Sequence, residues 1–310
     1  MYQLHGLCVS TSMKSLQEVI CSLDSFFSYS DYPDSIIDTL VRTDMKAFLR
    51  FNEDYFRKTS GLMIQNSLHI SSICCAAFPS NDLISHIEKV TNALLLVKHP
   101  MDWNEFSEGF IPISEKFLNK LKDRKISLYC AHSAHDNHLS CSPSVGLAQV
   151  FNGDILEIMS DEQDRVFGCI VEIQNPLRFE DLRLFLSQTF GLISFQEYFV
   201  HDRVHRIAVV AGGGDNPQWL NLAIGKNCDT YLTGILYFRG SQYAKENNPI
   251  FIRNLKASSL NALGISHYFS EQRGSILLAN LLARVVKLPT KYLPEMGKAK
   301  LIQCNWQLHI

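Results

Sequence analysis

The sequence predicts a protein of the α/β class, built on sheets of mostly parallel strands. Short apolar runs at 93–97 and 126–130 have the length of buried strands, and a helical pattern at 114–124 lies between them. Strands that alternate with helices in this way are typical of parallel sheets with helical crossovers. The chain has 310 residues, 46% of them apolar, so it can bury a large core without disulfide or metal staples.

The first half of the chain supplies one series of predicted elements. Residues 12–28 have helical periodicity, with apolar side chains on one stripe. The series continues with strands over 61–64 and 69–77, a helix over about 80–90 capped by Ser80 or Asn81, a strand over 93–97, a helix over 114–124 and a strand over 126–130. Residues 29–60 give no clear pattern.

A second series begins near residue 165. It comprises a strand over 166–173, a helix over 179–190, a strand over 207–211, a helix over 217–225, a strand over 230–233 and an apolar helix over 277–286. The polar, acidic stretch 152–165 separates the two series and is the predicted domain boundary. At about 150 residues per domain, the length also predicts roughly two domains.

Composition excludes several classes of protein. A net charge of −2 lacks the basic excess of a general nucleic-acid binder, so nucleic acid is a disfavoured partner. The nine cysteines are scattered without a C-x-x-C pair, which excludes zinc ribbons and indicates a reducing compartment. The N-terminus shows no signal peptide, and no apolar run approaches the length of a membrane span. We therefore expect a cytoplasmic protein with no membrane association.

Potential metal ligands follow two of the predicted strands. His99 comes directly after the strand 93–97, and His132, His135 and Asp136 follow the strand 126–130. Ligands of open α/β sheets gather at the carboxyl ends of strands, and imidazole with carboxylate is a favoured set for Zn, Mn, Fe or Ni. A polar loop with chance histidines is the simpler alternative, and a lone histidine after a strand more often packs or faces solvent.

A third cluster lies at the start of the last helical region. His267 and Glu271 are four residues apart, which places both side chains on one face of a helix. That spacing lets both reach a single ion, as in other helical metal motifs, although a simple hydrogen bond between them is the stronger interpretation of this pair taken alone. Taken together, the three clusters predict a divalent metal site.

Two further motifs carry weaker predictions. Gly212-Gly213-Gly214-Asp215 follows a strand and precedes a helix, so it could cradle a phosphate, but a tight structural turn is the stronger interpretation. It is neither a dinucleotide fingerprint nor a P-loop. The residues 237–239 (YFR) could stack on a base, but aromatic residues at that spacing more often pack in a core.

Several segments occur in the order and spacing of a known family. They are residues 60–64 (SGLMI), 98–100 (KHP), 131–136 (AHSAHD), 209–214 (VVAGGG), 233–234 (TG) and 267–271 (HYFSE). On these segments the sequence resembles the Nif-three-like dinuclear metal proteins, also described as GTP cyclohydrolase I type 2 homologues. The matches run from about residue 60 to 275, so the resemblance covers most of the chain.

The resemblance implies an architecture and a ligand set. The fold would comprise two related α/β domains: a split metal-binding domain, 1–155 and 260–310, with a second domain, 156–259, inserted into it. The chain would self-associate into a toroidal homo-oligomer, a hexamer, with one or two divalent ions (Zn, Mn, Fe or Ni) per subunit. Carried over by position, the implied ligands are His99, His132, Asp136, His267 and Glu271.

The sequence departs from the family pattern at three polar positions. The first histidine of the family's HHP segment is Lys98 here, the aspartate after Thr-Gly is Ile235, and the histidine four residues later is Arg239. An ammonium group is no metal ligand while protonated, and its charge opposes a nearby cation. We hypothesise that one metal position is weakened or lost, with Lys98 and Arg239 supplying part of its positive charge.

Three functions are compatible with these features. The first is a metal-dependent hydrolase acting on a nucleotide or a phosphorylated small molecule, with His135 as the candidate catalytic acid or base because its ordinary pKa lies near neutral pH. The second is a non-catalytic metal-binding scaffold, a ring that binds partners through a partly degenerate site. The third and weakest is a nucleotide-binding protein that uses Gly212–Gly214.

Overall fold

A computed structural model describes residues 13–28, 36–44, 46, 49–58, 60–106, 109–237 and 242–305. The described helices are α1 (Leu16–Phe27), α2 (Ile36–Thr43), α3 (Glu53–Lys58), α4 (Ile84–Ile87), α5 (Glu115–Asp123), α6 (His132–Asn137), α7 (Pro143–Ala148), α8 (Phe179–Phe190), α9 (Pro217–Gly225), α10 (Gln242–Lys256), α11 (His267–Val286) and α12 (Met296–Asn305). None of the helices in these ranges is long and apolar enough to cross a membrane.

Within the described ranges the strands form two main sheets and two short pairs. They are β1 (Lys14–Ser15), β2 (Gly61–Ile64), β3 (His69–Ile70), β4 (Ser72–Ala76), β5 (Ala93–Val97), β6 (Asp102–Asn104), β7 (Gly109–Ile111), β8 (Ile126–Cys130), β9 (Asp154–Ser160), β10 (Val166–Leu177), β11 (Gln196–Tyr198), β12 (Val204–Gly213), β13 (Thr230–Ile235), β14 (Asn261–Gly264) and β15 (Thr290–Tyr292). The protein is therefore a mixed α/β structure, as the sequence predicts.

The first main sheet has the strand order β15-β4-β5-β8-β2. Its central strands are parallel, and β2 pairs antiparallel with β8 at the edge. All five residues of β5 and of β8 are buried because helices cover both faces. Alternate residues point to opposite sides: Leu94 and Leu96 pack with α1 and α11, whereas Leu95 and Val97 pack with α4 and α5.

The second main sheet has the order β11-β14-β13-β12-β10-β9. Strands β12, β13 and β14 are parallel, and β9, β10 and β11 join antiparallel. Helices α9 and α10 contribute Leu220 and Phe251 to the core on one face. On the other face, Leu182 of α8 and Tyr268 of α11 pack with Val209.

Most predicted elements are confirmed, several of them to the residue. The apolar stripe of α1 is buried as predicted, and α8 and α9 have the bounds expected from their periodicity. The run 69–77 divides into two strands with different partners: β3 pairs with β1, whereas β4 pairs with β5 and β15. The expected boundary stretch 152–165 contains strand β9 at the sheet edge, whose exposed residues are Asp154, Ile155 and Leu156.

Helix α11 connects the two sheets. It follows β14 of the second sheet and packs against β4 and β15 of the first and against β12 and β13 of the second. Its length is 20 residues, twice that of the predicted helix 277–286, because its N-terminal turns are also helical. This extension carries the predicted His267 and Glu271 to the carboxyl ends of β5 and β12, where they form part of a site.

Candidate metal centre

His99 enters the site from the end of strand β5. Its backbone N–H donates to the Ala77 carbonyl at 3.0 Å, which continues the pairing of β5 with β4 beyond the strands. The side chain is 2% exposed. Its ring stacks on Phe78, with centroids 4.6 Å apart. The position of His99 is thus fixed by sheet pairing and by an aromatic neighbour.

His267 and Glu271 enter from the first turns of α11, and Glu105 fixes the start of that helix. The Glu105 carboxylate accepts hydrogen bonds from the Ser266 hydroxyl at 2.8 Å and from the Tyr268 backbone N–H at 3.0 Å. A carboxylate at this point satisfies backbone donors that have no partner within the helix and complements the helix dipole. Sequence reasoning missed Glu105, because its partners lie more than 160 residues away.

The three side chains converge on one point. Glu271 Oε2 lies 2.7 Å from His99 Nε2, and Glu271 Oε1 lies 3.4 Å from His267 Nε2. One ligand atom from each residue lies within 4.8 Å of the others, and all three residues are buried. Two imidazoles and a carboxylate are a ligand set typical of catalytic zinc and related divalent ions. This group of His99, His267 and Glu271, the metal group, can hold a metal ion.

The electrostatics of the group suit a metal ligand set. Burial lowers the pKa of His99 well below its usual range, against the opposing attraction of Glu271. Burial thus favours the neutral ring, which is the form that binds metals. Burial acts to raise the pKa of Glu271, but His99 and His267 hold it well below its usual range, so the carboxylate is ionised.

Gly212, at the end of β12, leaves space for this group. Its φ of +79° lies in the left-handed region that favours glycine. A Cβ there would lie 2.8 Å from Glu271 Oε1 and 3.2 Å from His267 Nε2. The glycine therefore allows the second sheet to approach the ligands closely. The residues present fit a bound ion in both their chemistry and the room left around them.

Aromatic rings surround the ligands. The Trp103 ring lies 4.4 Å from that of His267, between centroids, and Phe78 lies between Trp103 and His99. The backbone N–H of Phe78 donates to Glu295 at 2.8 Å. Burial raises the pKa of Glu295 to about 8, although the Phe78 N–H opposes this. An apolar shell of this kind strengthens electrostatic interactions at the site by excluding water.

His132 and Asp136 lie beside the group but outside it. They belong to α6 rather than to the predicted loop, one helical turn apart, and the His132 and His99 ring centroids are 5.0 Å apart. The Lys98 ammonium donates to Asp136 Oδ2 at 2.7 Å and to the His132 carbonyl at 3.1 Å. Lys98 is 2% exposed. The carboxylate that the resemblance implies as a metal ligand is therefore bound to a lysine.

His135 faces away from the metal group. It is fully buried, and its Nε2 lies 2.9 Å from the Cys141 carbonyl oxygen, to which it donates. Burial lowers its pKa to about 3, and the nearby Lys98 acts in the same direction. It does not line the cavity described below, so this geometry gives no support to the predicted catalytic role.

The other predicted positions have mixed outcomes. Ile235 is buried at the end of β13 and lines the cavity with an apolar side chain. Arg239 lies outside the described residues. The Gly212–Gly214 segment does not form an open phosphate cradle: the Gly212 N–H donates to Ser270 Oγ at 2.9 Å, and a Cβ on Gly214 would overlap Thr233. Gly212 and Gly214 serve close packing instead, and Gly212 and Gly213 are the last residues of strand β12 rather than part of the tight turn that the alternative interpretation expects.

The metal group opens into a cavity of about 830 Å³. Strand ends and helix starts from both sheets contribute to its wall, which is where α/β proteins usually bind ligands. Its charged and polar lining includes Arg42, Lys98, His132, Asp136, Arg165 and Asp215. Asp215 is 6% exposed, and burial raises its pKa to about 6. The cavity is large enough for a small molecule beside the ligands.

Fold and site together define a class: a mixed α/β protein with a buried His–His–Glu group at strand ends, beside a cavity. The sequence pattern of the family Duf34/NIF3 (NGG1p interacting factor 3) matches residues 40–294. The chain belongs to this family, which confirms the resemblance found in the sequence. No curated protein sequence matches it significantly.

Solved structures share the fold at low sequence identity. The protein ybgI, whose structure title gives an unknown function, is 16% identical with a TM-score of 0.66, covering 90% of this chain and 98% of that one. Reduced HcgD from Methanocaldococcus jannaschii is 19% identical with a TM-score of 0.59, covering 91% and 98%. A Bacillus cereus protein related to NIF3 is 12% identical with a TM-score of 0.61, covering 91% and 96%. These similarities show the fold alone.

Proposed function

We propose that this protein is a metal-dependent hydrolase of small molecules that binds one divalent ion per chain through His99, His267 and Glu271. The observation that carries the proposal is the position of these ligands in the wall of a cavity of about 830 Å³, open to a substrate. When bound, a Zn, Mn, Fe or Ni ion supplies Lewis acidity, which activates water and polarises a carbonyl or phosphoryl oxygen.

The chain's own residues supply the remaining parts. Gly212 keeps the space beside the ligands open, and Phe78 and Trp103 exclude water behind them. Lys98, held by Asp136, places a fixed positive charge in the cavity wall next to the ion. A buried ammonium stabilises negative charge that develops on a substrate oxygen. A phosphorylated or otherwise anionic small molecule fits this distribution.

Lys98 also favours one ion over two. His132 and Asp136, the remaining ligands implied by the resemblance, would hold a second ion where the ammonium now binds the carboxylate. Two cations that compete for one carboxylate oxygen repel each other strongly in a buried site. The ammonium thus takes the place of a second metal ion, and His132 is retained as a side chain of the cavity wall.

The proposal includes an architecture. The split domain (1–155 and 260–310) contains the first sheet, and the inserted domain (156–259) contains most of the second, although β9 begins at Asp154 and all of β14 (Asn261–Gly264) lies within 260–310. A homohexameric ring of such chains in the cytoplasm, with substrate reaching the cavities from its interior, is part of the same proposal. Buried free thiols such as Cys74, Cys75 and Cys130 suit a reducing compartment.

Turnover of a panel of nucleotides and phosphorylated small molecules, with Zn, Mn, Fe or Ni added, tests the proposal. We expect hydrolysis that Glu271→Ala abolishes and that His132→Ala reduces by about tenfold to a hundredfold, the usual cost of losing a residue beside a metal site. His69→Ala is the matched control, because His69 is exposed on β3. Absence of turnover with every metal, with oligomers intact in the variants, would instead support the non-catalytic scaffold.

A further inference from the structure

Beside the metal group, the cavity has a second polar and aromatic part. It is formed by Asp215, Gln218 and Trp219 around the start of α9, and by Phe167 of β10. We propose that this part binds a planar nitrogen heterocycle, whose ring stacks on Trp219 and whose N–H groups donate to the Asp215 carboxylate. The inference deepens the proposed function by naming a substrate class.

The aromatic part of this subsite is a stacked pair. The Phe167 and Trp219 rings are nearly parallel, 5° apart, with centroids separated by 4.7 Å. Both residues are half-buried and line the cavity. Stacking on Phe167 fixes the plane of the indole ring and lowers the entropic cost of binding a further planar ring against it. Indole also attracts electron-poor or cationic rings more strongly than any other side chain.

Asp215 defines the polarity of the ligand. It is almost fully buried, and its carboxylate accepts a hydrogen bond from its own backbone N–H. Within the described part of the chain, no basic side chain forms an ion pair with it. A buried carboxylate without a cationic partner is costly, so a ligand that donates N–H groups to it gains more than it would from an exposed acid.

The same carboxylate argues against a phosphate in this part of the cavity. The N-terminus of α9 would otherwise suit an anion, but Asn216 already accepts the Gln218 N–H at 2.8 Å as its cap. Asp215 adds a negative charge directly before that cap. A phosphate here would face like-charge repulsion, whereas the fixed cation Lys98 lies beside the metal group. An asymmetric ligand fits best, with its donor-bearing ring on Trp219 and its anionic or reacting group near the ion.

Binding of two simple rings tests the inference without any turnover. The probes are 2-aminopyrimidin-4-one, a planar ring with adjacent N–H donors, and pyrimidine, a similar ring without donors. Affinities are measured by saturation-transfer NMR titration at pH 8. We expect the wild type to bind the donor-bearing ring about tenfold or more tightly than pyrimidine, since one hydrogen bond to a charged group is worth about that factor.

Two variants and one control variant test which side chains cause the preference for the donor-bearing ring. Asp215→Asn should remove the preference for the donor-bearing ring while keeping the cavity shape. Trp219→Ala should weaken the binding of both rings. Asp202→Asn is the matched control, because Asp202 is an exposed aspartate paired with Arg178. Equal affinity for the two rings in the wild type, no binding of either, or a preference retained in Asp215→Asn would each overturn the inference.

The same binding experiment on His99→Ala separates this inference from the proposed function. That variant removes a metal ligand but leaves Trp219 and Asp215 unchanged, so the preference for the donor-bearing ring should persist. A preference that persists, in a protein that shows no hydrolysis with any metal, contradicts the proposed hydrolase and leaves the ring-binding subsite standing.

Discussion

At position 98 the chain carries an ammonium group inside the wall of the cavity, next to His99 of the metal group. Lys98 bonds to Asp136 and to the His132 carbonyl and is almost fully buried. A lysine this buried is retained only with a partner, because an unpaired buried charge costs several kcal/mol. The pair thus fixes a positive charge at a place where the sequence resemblance implies a metal ligand.

Asp215 contributes to a pH dependence of stability that can be measured in metal-free protein. Its pKa in the fold is raised to about 6 by burial, from an unfolded value of 3.8. The protonated form is therefore favoured in the fold, so this contribution is present below pH 3.8 and is lost as the pH rises through 6. Asp215→Asn should consequently stabilise the protein near pH 8 by up to about 3 kcal/mol, and much less near pH 4.

Thermal or denaturant unfolding in the presence of a chelator, over this pH range, measures the effect. Asp202→Asn serves as the control, since Asp202 is exposed and its pKa is lowered by Arg178. A gain for Asp215→Asn that is equal at both ends of the range would contradict the assignment of the shift to burial of this carboxylate. A gain confined to high pH would mean that the wild type gives up stability to keep a charge in the cavity.

The sequence predicted the three residues of the metal group by their chemistry but missed the residues that position them. His99, His267 and Glu271 stand out because imidazole and carboxylate groups follow strand ends or share a helix face. Glu105 and the packing role of Gly212 give no local signal, because their partners are distant in the chain. Their roles depend on how the two sheets meet, which residue spacing does not encode.

Strand β12 and helix α11 approach each other closely at the site. Gly212 has a positive φ, and Gly234 of β13 would place a Cβ 2.5 Å from Ser270 Oγ. Side chains larger than hydrogen at these positions would separate the second sheet from the helix that carries two ligands. The glycines therefore determine the distance between strand and helix, and with it the geometry of the metal group.

Gly212→Ala tests this role of β12. The added methyl group would clash with Glu271 and force a left-handed backbone on alanine, so we expect a loss of about 1–3 kcal/mol in unfolding free energy. Metal affinity should fall about tenfold or more because Glu271 must shift. Gly225→Ala is the matched control, since a Cβ there meets nothing within 4 Å and α9 should tolerate it.

Unfolding curves and metal titration of both variants provide the comparison. If Gly212→Ala were as stable and bound metal as tightly as Gly225→Ala, close approach of β12 to the ligands would not be needed.

Element prediction from sequence was most accurate where periodicity is strong, as in α1, α8 and α9. It failed for β9 and α6, because an exposed edge strand and a helix of six residues carry little periodic signal.

At the scale of the whole molecule, the metal group belongs to neither sheet alone. His99 comes from the first sheet, Gly212 from the second, and α11 packs on both while carrying the other two ligands. The cavity likewise collects side chains from both halves of the chain. Any ion that binds there links the two sheets, so metal content reports on the assembled molecule as well as on single side chains.

The central claim is that each chain holds one ion at His99, His267 and Glu271, with Lys98 in place of a second. Metal analysis by plasma mass spectrometry, on protein purified without chelator, tests it most directly. We predict one ion per wild-type chain, none in Glu271→Gln, one in the control His69→Ala, and two in Lys98→His, which supplies an imidazole beside His132 and Asp136. Two ions per wild-type chain, or one ion that survives Glu271→Gln, would contradict the account.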